Sequence, residues 1–124
     1  MKLWILVAVG GALGSMARYG LTMLVSRCMP PSFPYGTFVV NVVGCLVFGL
    51  VVGFAGDRVG IGTPGRAFIL IGILGGFTTF SSFTNETFVL LRNGQGLAAS
   101  LNVVGQVAIC LAALWTGYLL PNLL

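Results

Sequence analysis

The chain carries no histidine, and its only carboxylates are Asp57 and Glu86. General acid–base catalysis and imidazole-based metal hydrolysis have almost nothing to work with in such a set. Cys28, Cys45 and Cys110 stand far apart with no C-x-x-C pair, and read as small apolar residues. What remains are amides, hydroxyls, phenyl rings and backbone. The densest set is 75–84, Gly-Gly-Phe-Thr-Thr-Phe-Ser-Ser-Phe-Thr, in which seven of ten residues are Gly, Ser or Thr and the other three are Phe at a spacing of three. Paired glycines and hydroxyls that compete for backbone bonds make a poor helix, so a break is expected here. At membrane depth, freed carbonyls of a broken helix can coordinate a hard cation such as Na⁺. The alternative is a packed small-residue interface whose hydroxyls bond back to the preceding turn.

Phe77, Phe80 and Phe83 suit a core, but a phenyl ring has a positive edge. Rings presented edge-on beside an aqueous path would stabilise a small anion without the fixed charge that holds it too tightly for exit. Phe80 and Phe83 are favoured over Phe77 for this role. Asn41 is the strongly polar side chain of the second apolar segment, with amide hydrogens able to donate to an anion. Asn102, Gln106 and Cys110 follow at i, i+4 and i+8, which places them on one helix face. That stripe reads either as interhelical hydrogen bonding or as a donor track for an ion. Arg18 and Glu86 lie inside apolar segments, where an unpaired charge is costly, so they either pair or reach a vestibule.

The elements that must position these residues follow from composition. Of 124 residues, 57% are hydrophobic and 6% charged, against about 25% charged in a soluble domain. This is the composition of an integral membrane protein. A transmembrane helix takes about 20 apolar residues, so four spans fill a single domain, 1–124, and leave no room for a soluble catalytic unit. They are expected at 3–26, 37–56, 66–91 and 97–120, with the third broken near its middle. The first connection holds Pro30, Pro31 and Pro34, the second Asp57, Arg58, Gly60, Gly62 and Pro64, the third Arg92 to Gly96, and Pro121 closes the last span. Gly10/Gly14, Gly49/Gly53 and Gly72/Gly76 have the four-residue spacing of close helix contacts in lipid.

The net charge of +4 does not point to nucleic acid, because the cations are scattered singly rather than clustered on one face. Lys2, Arg58 and Arg66 fall on one side of the membrane, and Arg27 and Arg92 on the other. Orientation normally follows an excess of cytoplasmic Lys/Arg. So balanced a chain is expected to insert both ways and to pair as an antiparallel homodimer.

Nearly the whole chain resembles the Fluc (CrcB) family of fluoride channels. The resemblance rests on Gly10, Gly11, Gly14 and Arg18 in the first span, Gly36-Thr37-x-x-x-Asn41 opening the second, and Gly75 to Phe83 with Glu86 following in the third. It implies an antiparallel dual-topology homodimer in the cell inner membrane, with two fluoride pores built from both subunits. It also implies a central structural Na⁺, not transported, on the backbone carbonyls of Gly75 and Thr78. Phe80 and Phe83 match the family's pore phenylalanines, Asn41 its vestibule asparagine, and Ser82 with Asn102, Gln106 and Cys110 its polar track. Two other classes share parts of the pattern. A small dual-topology multidrug exporter resembles its kin in a first-span carboxylate, which Leu3 to Ser26 lacks. A noncatalytic assembly subunit would use the glycine faces for packing alone.

Overall fold

The computed structural model describes residues 1–55 and 62–123, and the described residues are helical with short connections. Helix α1 is Lys2–Cys28 and α2 is Tyr35–Ala55. The third span starts at Thr63–Arg66, with Pro64 in the first turn, where its missing N–H costs nothing. It continues through a π-helical stretch, Ala67–Leu74, and the turn Gly75–Phe77; these three consecutive segments are α3, the first half of the span. Helix α4 is Phe80–Arg92, and α5 is Gly96–Leu123. Among the described residues, four stretches are long and apolar enough to cross a membrane: Lys2–Cys28, Tyr35–Phe54, Thr63–Arg92 and Gly96–Pro121.

The expected break falls at Thr78 and Thr79, both in extended backbone. Asp57, Arg58 and Gly60 of the second connection lie outside the described residues. Two features differ from expectation. Pro121 does not close the last helix but sits inside it, two residues before its end at Leu123. Its missing N–H forfeits a single bond near a terminus, and its ring packs beside Gly53. The π-helix was not anticipated, and such widened turns often lie next to functional sites.

Polar side chains share the interior with a small apolar core. Among the described residues the buried polar side chains are Thr37, Asn41, Asn102 and Gln106, whereas Leu, Ile, Val and Phe side chains cover much of the exterior. A lipid-facing chain has this pattern, because hydrocarbon solvates the apolar groups and every polar group must find its partner within the protein. The chain is a multi-pass membrane protein.

Packing follows the glycines. Helix α2 lies along α5, and α1 lies along α3. A Cβ on Gly10 would lie 2.6 Å from the Phe68 carbonyl oxygen, and one on Gly76 2.6 Å from that of Gly11. The two backbones touch where a methyl group has no room. The break then lets the same span change neighbours, since α4 leaves α1 and packs on α5. At the far end Asn93 and Gly94, the latter at φ 73°, turn the chain into α5.

Candidate functional site

The break is built by substitution of partners. The Thr79 N–H, which would bond the Gly75 carbonyl in a continuous helix, donates instead to Asn41 Oδ1 at 2.8 Å. Asn41 Nδ2 in turn donates to the Thr79 carbonyl at 3.0 Å. One side-chain amide on α2 thus clasps both backbone groups of one residue. The Ser82 N–H, whose helical partner would be the Thr78 carbonyl, donates to Thr79 Oγ1 at 3.2 Å and makes Thr79 the N-cap of α4. Thr79 Oγ1 also donates to Ser82 Oγ at 3.1 Å. Gly75 and Thr78 therefore lose their helical donors to named competitors, and their carbonyls are freed at membrane depth. Hard oxygen atoms of this kind suit Na⁺. Thr78 is held on the other side, its N–H and hydroxyl both donating to the Leu74 carbonyl at 3.0 and 2.9 Å.

Beside the break a cavity of about 340 Å³ opens between α2, α4 and α5, lined among others by Asn41, Cys45, Phe80, Phe83, Gln106 and Cys110. Phe83 is 8% exposed and Phe80 78% exposed. Their rings lie 5.5 Å apart, tilted by 50°, so Phe80 projects from the chain while Phe83 anchors it. Gln106 is 5% exposed, and neither its amide nitrogen nor its amide oxygen has a hydrogen-bond partner. An unsatisfied buried amide costs roughly 1–3 kcal/mol, and a wall that keeps one offers two donors and an acceptor to a polar guest. Of the residues singled out in the sequence, Asn41, Phe80, Phe83, Gln106, Cys110 and Thr78 meet at this one cavity.

The others lie apart from it. Asn102, 1% exposed, donates through Nδ2 to Thr87 Oγ1 at 2.9 Å and ties α5 to α4. The polar stripe on α5 thus divides into a structural amide at 102 and a cavity amide at 106. Ser82 is half-buried within the Thr79 cap. Glu86 accepts from Thr37 Oγ1 at 2.6 Å, and its Oε2 is buried without a partner. It lines two further cavities, of about 210 and 380 Å³, under the proline-rich connection. Arg18 is half-buried, its Nε buried without a partner; of the two arrangements open to Arg18 and Glu86, the structure shows Glu86 bonded to Thr37 and not to Arg18.

Three contributors were not singled out. Thr79 is the cap, Gly44 leaves the space that Thr78 and Phe77 fill, and Cys45 lines the cavity. Gly44 follows Asn41 at i+3 and shares its helix face, a spacing that marks it in retrospect.

Residues 5–118 match the family model described as CrcB-like protein, Camphor Resistance (CrcB). A protein of Nitratidesulfovibrio vulgaris named fluoride-specific ion channel FluC is 50% identical over 117 residues, 94% of each chain. Proteins of the same name from Opitutus terrae and Paramagnetospirillum magneticum are 46% and 42% identical, over 96% and 100% of this chain and 92% and 98% of their own.

Proposed function

The chain belongs to the CrcB family, a family of channels and not of enzymes, and from that premise we propose that it is a passive fluoride-selective ion channel of the bacterial inner membrane. Neutral hydrogen fluoride crosses lipid and ionises in the cytoplasm, where the anion is trapped. A selective pore lets it leave along the inside-negative potential. The observation that carries this reading is Gln106, whose buried, unpartnered amide faces a cavity bounded by Phe80, Phe83 and Asn41. Amide hydrogens and ring edges replace water around a small anion without a permanent cation to retain it.

The path is completed by a second, antiparallel copy, giving two pores per dimer. This is supported by the side of α4 left open in one chain: Phe80 and Phe88 are 78% and 55% exposed, and Ser81, Thr84 and Asn85 are exposed with them. Polar groups at this depth call for a protein neighbour rather than lipid.

The carbonyls of Gly75 and Thr78 fit a structural Na⁺, which a second copy would bind with its own pair. The ion would supply a fixed positive charge that holds the loose end of α3. The Asn41 clasp and the Thr79 cap keep those carbonyls free. Thr78→Ala, which leaves the backbone in place, is expected to retain sodium-dependent thermal stability, whereas Gly75→Val is expected to lose it. Loss in Thr78→Ala and retention in Gly75→Val would refute backbone ligation.

The function is tested by fluoride efflux from liposomes reconstituted with the pure protein, read by a fluoride electrode with valinomycin balancing charge, and repeated with chloride. Rapid release of fluoride without chloride is expected. Silence for both ions in folded, dimeric protein would refute the channel.

A further inference from the structure

Two of the three cysteines meet in space. Cys45 on α2 and Cys110 on α5 line the same cavity, both are free thiols, and the packing of Gly105 on Phe38 and of Gly49 on Leu114 sets the two positions level on adjacent helices. One turn before Cys110 stands Gln106, with an amide oxygen that is buried and unpartnered. Two sulfurs on facing helices, backed by a neutral oxygen, form a donor set that fits a narrow class of guest. Thiolates select soft metal ions, and two sulfurs satisfy an ion that takes linear coordination. Zinc, which takes four ligands in tetrahedral array, is not served by this wall.

We propose that Cys45 and Cys110 form a two-sulfur site for a soft monovalent cation of the Ag(I) or Cu(I) class, and that its occupation closes the cavity. On binding, one Sγ–H bond breaks and one sulfur–metal bond forms, while the second thiol donates a sulfur lone pair. The proton leaves to water at the cavity mouth. One positive charge enters as one leaves, so the filled site stays neutral and avoids the cost of burying a net charge. No oxidant is consumed. The bound ion sits against Gln106, Phe80 and Phe83, on the path assigned above, so the closure half of this inference rests on that assignment and the binding half does not.

The test uses the full-length protein carrying Cys28→Ser, which removes the exposed background thiol. Silver nitrate is titrated against the protein in chloride-free buffer, following sulfur–silver absorption and the proton released. One silver per chain is expected, binding more tightly as pH rises. Cys45→Ser and Cys45→Ala, two variants in case one folds poorly, should each weaken binding by at least about tenfold. Equal silver uptake by the protein lacking both Cys45 and Cys110 would overturn the site, as would loss of both thiols to a disulfide with no silver retained. In liposomes, one equivalent should lower fluoride efflux by at least about tenfold, consistent with a filled constriction, and dithiothreitol should restore it. Silver bound with efflux undiminished would overturn closure. Silver bound by protein that conducts nothing even without silver would refute the channel reading while leaving the site intact.

Discussion

Replacing Asn41 by alanine removes both bonds of the clasp, the 2.8 Å bond from the Thr79 N–H and the 3.0 Å bond to the Thr79 carbonyl. Two backbone groups are left without partners, each at a cost of roughly 1–3 kcal/mol. Thr79 borders the cavity, where water can reach it in part, so the lower end, about 2 kcal/mol, is the expected loss. That is roughly a thirtyfold shift in the folding equilibrium, readable as a lower unfolding temperature in detergent. Asn41→Asp separates the clasp from simple bulk. A protonated carboxyl both donates and accepts and so rebuilds both bonds, whereas a carboxylate is acceptor-only and faces the Thr79 carbonyl with a lone pair. Protonation then stabilises the folded state, so the stability of this variant is expected to rise as pH falls, while the parent protein shows no such gain at this residue. If Asn41→Ala lost fluoride flux but unfolded at the parental temperature, Asn41 would be a pore donor alone and the clasp would carry no weight.

Phe80→Ile should cut fluoride flux strongly with stability held within about 0.5 kcal/mol, because its ring projects from the chain; Phe83→Ala should cost about 3–5 kcal/mol from a buried ring. Gln106→Leu is expected to raise the unfolding temperature, by removing an unsatisfied amide worth roughly 1–3 kcal/mol, while abolishing flux; a drop in both would refute the unpartnered-amide reading. Gly14→Ala should fail to give folded protein, since its Cβ would lie 2.9 Å from Phe77 N and closer still to the Ile73 carbonyl, whereas Gly20→Ala meets nothing and should stabilise α1 by up to about 1 kcal/mol. Expression and thermal unfolding of the pair decide that contrast.

The spans were legible because apolar length has one reading in a chain so poor in charge, and the glycine pairs were legible because close backbone approach in lipid admits few other residues. The break could be read from Gly75 to Thr84, but not its exact seat, which depends on Asn41 reaching across from α2. Periodicity put Asn102 and Gln106 on one face yet could not divide them. That division depends on where α4 swings, bringing Thr87 to Asn102 and leaving Gln106 with nothing. The pairing of Cys45 with Cys110 was invisible for the same reason: 65 positions apart in the chain, they come to one cavity only through the packing of α2 on α5. The π-helix has no local signal either, since Ala67–Leu74 is an ordinary apolar run whose widening coincides with the glycine contact to α1.

Among the described residues, the cavity beside the break is lined by no charged side chain, so an ion there meets backbone dipoles instead, and the break supplies them. Cutting one span exposes two opposite backbone ends at the same depth. The end of α3 presents carbonyls, released at Gly75 and Thr78 by the clasp and the cap. The start of α4 carries the positive end of its helix dipole, roughly half an elementary charge, with the Thr79 and Ser82 N–H groups there already bonded to Asn41 and to the Thr79 hydroxyl. A cation suits the first end and an anion the second, so one interruption prepares both environments without burying a full charge. Asn41 is what keeps them distinct: by holding the Thr79 N–H away from the Gly75 carbonyl, it prevents the span from healing into a continuous helix in which neither end would exist.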